Sequence, residues 1–357
     1  MRLTQEQDEL RSAVRSLLTQ HHDKSAWAPL AEQIGAAGLA VPEGYGGAGG
    51  GARDIHVLME ELGRSLSPLP CLGSSVITVG ALLASGDKEA CGRLLPGLAE
   101  GTSVGTVAWA EHGSWDQAAI RAEAVPRPGG GWVVSGAKEH VLDWPGVDVL
   151  LVAARTACGV SLFEVAPHAA GVRREPVVTM DETRRQARWV LDGAEGRLLG
   201  GDGEGGHYLE HVRDLACTAL AAEQVGAAER CLELTVEYAR KRVQFGRPIG
   251  SFQAVKHRLA DAYVLVESAR SVALGAAFAA DEDPGALPRA AAVAKSVCSE
   301  AFSAMAGEMI QLHGGIGITW EHDAHRYFKR AHGAGELFGP PAHHRARLAA
   351  GLGLAAR

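Results

Sequence analysis

The hydrophobic period of this 357-residue chain changes twice, and that change limits the fold more than any other feature. Near the start, Leu10, Val14, Leu17 and Leu18 fall on one helical stripe, with Thr4 and Gln7 at capping-box spacing. Helical spacing returns over 30–37, ending at Gly38, and over 54–65, 76–84 and 89–98. From Ser103 apolar residues alternate instead: 122–125 and 132–135 flank the Pro/Gly turn 126–131 as a hairpin. Segments 147–153, 160–165, 175–178 and 189–191 read as further short strands. After the glycine-rich linker 200–206, helices are expected over 207–240 and 252–280, with a breaker at 281–285. A last long helix places Val293, Val297, Ala301, Met305, Met309 and Leu312 on one face and stops at Gly314-Gly315. The reading is an α+β multidomain chain: a helical N-terminal domain over 1–102, a β middle domain over 103–200 and a helical C-terminal domain over 201–357.

Charge narrows the function classes. With 42 Asp plus Glu against 35 Lys plus Arg, the net charge of −7 argues against nucleic acid, whose phosphates select clustered cations. Six cysteines without C-x-x-C spacing suggest neither a zinc site nor a disulfide framework; they read as small buried residues in a reduced compartment. The N-terminus lacks signal-peptide architecture, and no apolar run approaches the ~18 residues of a membrane span, so a soluble cytoplasmic protein is expected.

Most local motifs favour bland readings. The glycine run 44–51 follows no strand and precedes no G-K-[ST], so it is expected to be a structural turn. Adjacent pairs His21-His22 and His343-His344 diverge on a helix and make poor metal ligands. No G-x-S-x-G elbow exists. Two segments carry more. Tyr238 to Gln253 is a basic helix end running through Phe245-Gly246 into a second helix; its cations suit either a helix C-terminus or a pyrophosphate. Gln311-Leu312-His313-Gly314-Gly315-Ile316-Gly317 allows close backbone approach to a ligand, or simply stops a helix.

Taken in order, R-x-x-F-G at Arg242, F-Q at Phe252, Q-x-x-G-G-x-G at Gln311, the stretch 39–47 and Glu60-Glu61-Leu62-Gly63 resemble the acyl-CoA dehydrogenase family along essentially the whole chain. The resemblance implies a helical N-terminal domain, a β-barrel-like middle domain and a C-terminal four-helix bundle, assembled as tetramers. It also implies FAD held between subunits and α,β-desaturation of an acyl-CoA thioester. By motif, Arg242, Phe245, Phe252 and Gln253 match positions that hold the adenosine-pyrophosphate half of FAD, and Gln311, Gly314, Gly315 and Gly317 match those that contact it from a neighbouring subunit.

The other half of that family's site is altered here. The stretch that resembles T-E-P-x-x-G-S-D reads Ala110 to Asp116, and the flavin-holding W-[IS]-[TS]-N-[GA] stretch reads His140 to Trp144, with Leu142 replacing a hydroxyl residue. An apolar side chain cannot supply that hydrogen bond, and Trp115 and Trp144 add bulk. Phe338 stands where the catalytic Glu belongs, Ala216 and Cys217 stand at the alternative base positions, and the nearby Glu336 is offset by about 200° of helical rotation. The resemblance therefore implies a non-catalytic subunit that shares FAD with a paralogous subunit carrying the Glu. A steroid side-chain thioester is among the expected substrates. Two alternatives remain: a homomeric FAD enzyme with a relocated base such as Glu336 or Glu111, or a non-redox acyl-binding scaffold.

Overall fold

The computed structural model describes residues 2–21, 23–142 and 145–354, so His22, Asp143 and Trp144 lie outside the described residues. Helix α1 (Gln5–Gln20) begins with the expected box, Gln7 N–H donating to Thr4 Oγ1 and Thr4 N–H to Gln7 Oε1. The next helix, α2 (Trp27–Ile34), ends sooner than its spacing suggested. Gly35 adopts φ +70° as its C-cap, and 36–38 tighten into a 3-10 turn. Segment 43–51 is a 3-10 turn and loop, as expected. Helices α3 (Ala52–Arg64), α4 (Val79–Ser85) and α5 (Lys88–Glu100) complete the N-terminal part, and a π-helical turn, Leu72–Thr78, leads into α4.

α3 earns its place through two features of its sequence. Glu60 and Glu61, both buried, receive Arg270 and Arg11, and Arg15, respectively. Gly63 meets the helix α6 (Gly205–Lys241) so closely that a Cβ would stand 1.9 Å from the Glu223 carbonyl, while Gly226 faces the Glu60 carbonyl in the same way, at 1.8 Å.

The middle strands are β1 (Gly105–Ala108), β2 (Glu123–Pro126), β3 (Trp132–Leu142), β4 (Val149–Arg155), β5 (Val160–Val165), β6 (Val172–Val177) and β7 (Gln186–Leu199). β2 and β3 form the expected antiparallel hairpin. Neighbours β4, β2, β3, β7 and β5 close on one another into a barrel, with β1 added to β4 and β6 to β7. Nearly every residue of β4 is buried because the strand serves two cores. Leu150, Val152 and Ala154 fill the barrel, whereas Val149, Leu151 and Ala153 pack on the helical core.

α6 is followed by the short ribbon β8 (Val243–Gln244) and β9 (Arg247–Pro248), then α7 (Gln253–Glu282), α8 (Leu287–His313), α9 (Ala324–Glu336) and α10 (Pro341–Gly351). Alanines allow α6, α7 and α8 to approach closely: Ala221, Ala269, Ala273, Ala276, Ala294 and Ala301 share one core. On α8 the expected face is rotated: Val293, Val297 and Leu312 are only half-buried, and Lys295, Cys298, Phe302 and Ala306 join Met305 and Met309 inside. Five cysteines are buried as expected, but Cys158 is exposed. α7 is apolar and long enough to cross a membrane by length and composition alone, and its apolar residues include the exposed Tyr263 and Val264. Among the described residues no cluster of His, Cys, Asp or Glu has the makings of a metal site.

Candidate functional site

The residues singled out from the sequence fall into two separate places. The first is the ribbon after α6. Its two-residue loop, Phe245-Gly246, has φ +53° and +76°, the double positive φ that a type I′ hairpin turn requires. Glycine meets that requirement without strain, but phenylalanine does not, and its ring is thrust out with 92% of its area exposed. Phe252 lies edge-on to Phe245 at 6.2 Å, and the Arg247 guanidinium covers the Phe252 ring at 4.1 Å. Arg242 is the exposed C-cap of α6, and Gln253, also exposed, opens α7.

Tyr238, one turn before Arg242, stacks on His313 at 4.3 Å and so brings the end of α8 beside this ribbon. There Gln311 is exposed, and Gly314 ends the helix with φ +62°. Gly317 is enforced by packing, since a Cβ would lie 3.1 Å from His313 and Ile310. Gly315 is different: nothing stands within 4 Å of where its Cβ would be. Its lack of a side chain leaves the backbone open to a ligand. Arginine, amide and bare backbone together form a donor set suited to an anionic, ring-bearing group such as the pyrophosphate end of a dinucleotide.

The second place is a cavity of about 490 Å³ between the barrel and the ends of α9 and α10. Here the altered stretches meet: Gly113 to Asp116, His140, and Glu336, Leu337, Gly339, Pro340 and His343 all line it. Trp115 stands in its wall, packed edge-on to Trp109 at 5.1 Å and to Phe338 at 4.8 Å. Phe338 is 1% exposed, stacked on Trp109 at 5.8 Å, and held at φ +60°. Leu142 turns to a smaller cavity and contributes only its backbone carbonyl, which accepts from Thr106 Oγ1 at 2.8 Å.

Ala216 and Cys217 are fully buried, and desolvation pushes the Cys217 thiol up to about 12. Glu111 is no free base either. It is buried, pairs with Lys138, and accepts from the Arg121 and Ala122 amides at 2.6 and 3.1 Å. Glu336 departs from expectation. α9 ends at this residue, so its helical offset from Phe338 does not apply, and its exposed carboxylate lines the large cavity.

Sequence reasoning missed a buried ionic junction joining the β6–β7 segment, α6 and α9. Arg184 and Arg330 both donate to Glu223, and Arg330 also donates to Thr183 Oγ1 at 2.8 Å and to the Ser67 carbonyl at 3.2 Å. Burial and the neighbouring Arg330 push Arg184 down; burial also opposes the charge of Arg330, but Glu223 and Asp181 outweigh it and hold that group up. Charged residues give no periodic signal of burial, so nothing in the sequence distinguished these from surface arginines.

Family models then match both helical parts: an acyl-CoA dehydrogenase N-terminal domain over residues 4–102 and a C-terminal domain over 204–353. The chain belongs to the acyl-CoA dehydrogenase family. The fold, with its helical N-terminal part, middle β domain and helical C-terminal part, is that of the family, whose members are FAD-dependent flavoprotein oxidoreductases. Acyl-CoA dehydrogenase IpdE2 of Mycolicibacterium smegmatis is 40% identical, covering 98% of this chain and 99% of its own. Among solved structures, a variant of the Tcur3481-Tcur3483 steroid ACAD superposes with TM-score 0.87 at 34% identity, covering 98% of both chains. The ChsE4-ChsE5 complex from Mycobacterium tuberculosis superposes with TM-score 0.89 at 29% identity, covering 100% of this chain and 99% of that one.

Proposed function

We propose that this acyl-CoA dehydrogenase family chain is the non-catalytic subunit of a cytoplasmic heteromeric enzyme, divided into domains at 102/103 and 200/201. It lends the Arg242–Gln253 ribbon and the Gln311–Gly317 turn to an FAD whose flavin ring and catalytic carboxylate belong to a paralogous subunit. One observation carries the reading. Arg213 lines a pocket that shares Trp115, Asp116 and His343 with the large cavity, and Arg242 caps the same unbroken helix. About 29 residues of helix span about 43 Å. The ribbon therefore lies about 40 Å from this chain's own cavity, which supports its serving a site on another subunit.

Bound FAD supplies the hydride acceptor for desaturation of the acyl-CoA. The chain's own part is binding: Arg242 neutralises phosphate charge, Gln311 donates from its amide, and Gly315 admits the cofactor against bare backbone. At the ring end, Leu142 offers no side-chain donor and Phe338 no proton acceptor. Likeness to a steroid ACAD and to a ChsE4-ChsE5 complex supports a two-chain assembly and a steroid-derived thioester as substrate.

The test is flavin content. Purified alone, the chain is expected to be colourless; co-expressed with a Glu-bearing paralogue, it co-purifies as a yellow tetramer that oxidises an acyl-CoA. A yellow, active preparation of the chain alone would overturn the reading, and flavin under neither condition would favour a scaffold. The homomeric alternative draws on one observation, the carboxylate of Glu336 on the large cavity. If it holds, Glu336→Gln abolishes turnover in the isolated chain.

A further inference from the structure

We propose that Arg184 anchors a binding site for a small carboxylate, at the junction where the β6–β7 segment, α6 and α9 meet. Its Nη2 is committed to Glu223, but Nη1 is buried and meets no acceptor. Of the carboxylates around it, Glu223 is engaged through both oxygens and Asp181 through Oδ1 alone. Glu223 also takes Arg330 Nε at 3.0 Å, and Asp181 Oδ1 takes the Thr183 amide at 2.9 Å. Asp181 Oδ2 lies 3.6 Å from Arg330 Nη1 and makes no hydrogen bond of its own. A buried guanidinium N–H without a partner in the chain calls for an acceptor.

Space exists for one. Arg184 lines a cavity of about 40 Å³ together with Thr183, Arg185, Arg330, Gly73 and Leu142. A water needs roughly 10–15 Å³, so the volume suits about three waters or an ion the size of formate. Two buried guanidinium groups, on Arg184 and Arg330, and the solvent-exposed one of Arg185 line the cavity beside a single lining carboxylate, that of Glu223, and this lining suits an anion. The opposite wall, Leu142 and Gly73, is apolar, which favours a carboxylate with a hydrocarbon side over a fully hydrated anion. Arg184 also lines the 490 Å³ cavity, and this gives a route of entry. The carboxylate is either a free small acid or the end of a longer molecule lying in that larger cavity.

The experiment is thermal unfolding of the full chain in chloride-free buffer, titrated with sodium formate or with half-neutralised glutarate, ionic strength being held with sulfate. A saturable rise in Tm is expected with formate or glutarate. Saturation at lower glutarate than formate identifies the end of a longer ligand, and the reverse identifies a free acid. Arg184→Met removes the saturable rise. Because it also strands Glu223, Arg184→Lys serves as the second variant: its single ammonium is drawn to Glu223 and lacks the second nitrogen that faces the cavity, so it is expected to fold and to respond less than the parent. A bromide-soaked crystal should show an anomalous peak within hydrogen-bond distance of Nη1. No saturable rise, an equal rise in Arg184→Lys, or only water beside Nη1 would overturn the site.

Discussion

Phe338, which the motif aligns with the family's catalytic Glu, is fixed in place by its aromatic neighbours. Its ring is sandwiched by Trp109 and Trp115, and its φ of +60° is followed by Gly339 at +101°, so a left-handed backbone costing about 1–3 kcal/mol is held in place by aromatic packing. Phe338→Glu would bury a carboxylate among rings without a partner. The variant is expected to lose about 3 kcal/mol or more in urea unfolding and to gain no acyl-CoA oxidation on its own. Glu111→Gln tests a different carboxylate. It leaves buried Lys138, which burial already holds down to about 8, without its counter-charge, and a loss of about 3–5 kcal/mol in the same assay is expected. His344 supplies the pH dependence. Burial and nearby Lys295 hold its imidazole down to about 3, while Nε2–H donates to the Phe338 carbonyl at 3.0 Å. Its folded value lies below the unfolded value near 6.5, so only the unfolded chain takes up this proton as pH falls. Stability is retained above about 6.5 and falls by about 1.4 kcal/mol per pH unit from there towards 3. In His344→Gln, urea unfolding at pH 7 and pH 5 should differ by correspondingly less than in the parent; an unchanged difference would remove His344 as the source.

At the scale of elements, the crossing of α3 and α6 rests on reciprocal glycines. Gly226→Ala would drive a methyl group into the Glu60 carbonyl and push apart helices that the Arg64–Glu229 and Arg64–Glu233 pairs tie together. A loss of about 1–3 kcal/mol is expected by thermal unfolding, with Gly63→Ala similar and the double variant less than additive because both relieve one contact. Elements with a strong period of their own were legible in the sequence: α1 with its box, the β2–β3 hairpin and β5 are where spacing placed them. β7 was not. Alternation suggested only 189–191, whereas the strand runs from Gln186 to Leu199 through Asp192, Gly193, Glu195 and Gly196. Such residues are poor strand formers: pairing with β3 and β5 holds Glu195 and Gly196 extended, while Gly193, at φ +67°, sits at a bulge in the ladder. The site divides in the same way. Arg242, Phe245 and the Gln311–Gly317 turn sit in local motifs that spacing can reveal, but Arg184, Glu223 and Arg330 are brought together only by tertiary packing.

Across the whole molecule, the exposed ribbon and turn carry apolar surface that the chain's own core leaves uncovered. Phe245, Ile318 and Trp320 present large apolar surfaces to solvent at 92%, 72% and 75% exposure, beside the open backbone of Gly315. Nothing inside the chain requires glycine at 315, so Gly315→Ala separates folding from assembly. A methyl group there meets open space, and replacing glycine reduces the freedom of the unfolded chain, so the isolated variant should unfold at or slightly above the parent temperature. In the co-expressed heteromer the same methyl group lies where the cofactor would approach the backbone. Flavin content is expected to drop at least tenfold, with Arg242→Gln producing a similar loss relative to the parent that shrinks as salt is raised. Full flavin retention in Gly315→Ala, alongside normal stability, would show that the turn does not touch the cofactor and would detach the ribbon from the proposed shared site.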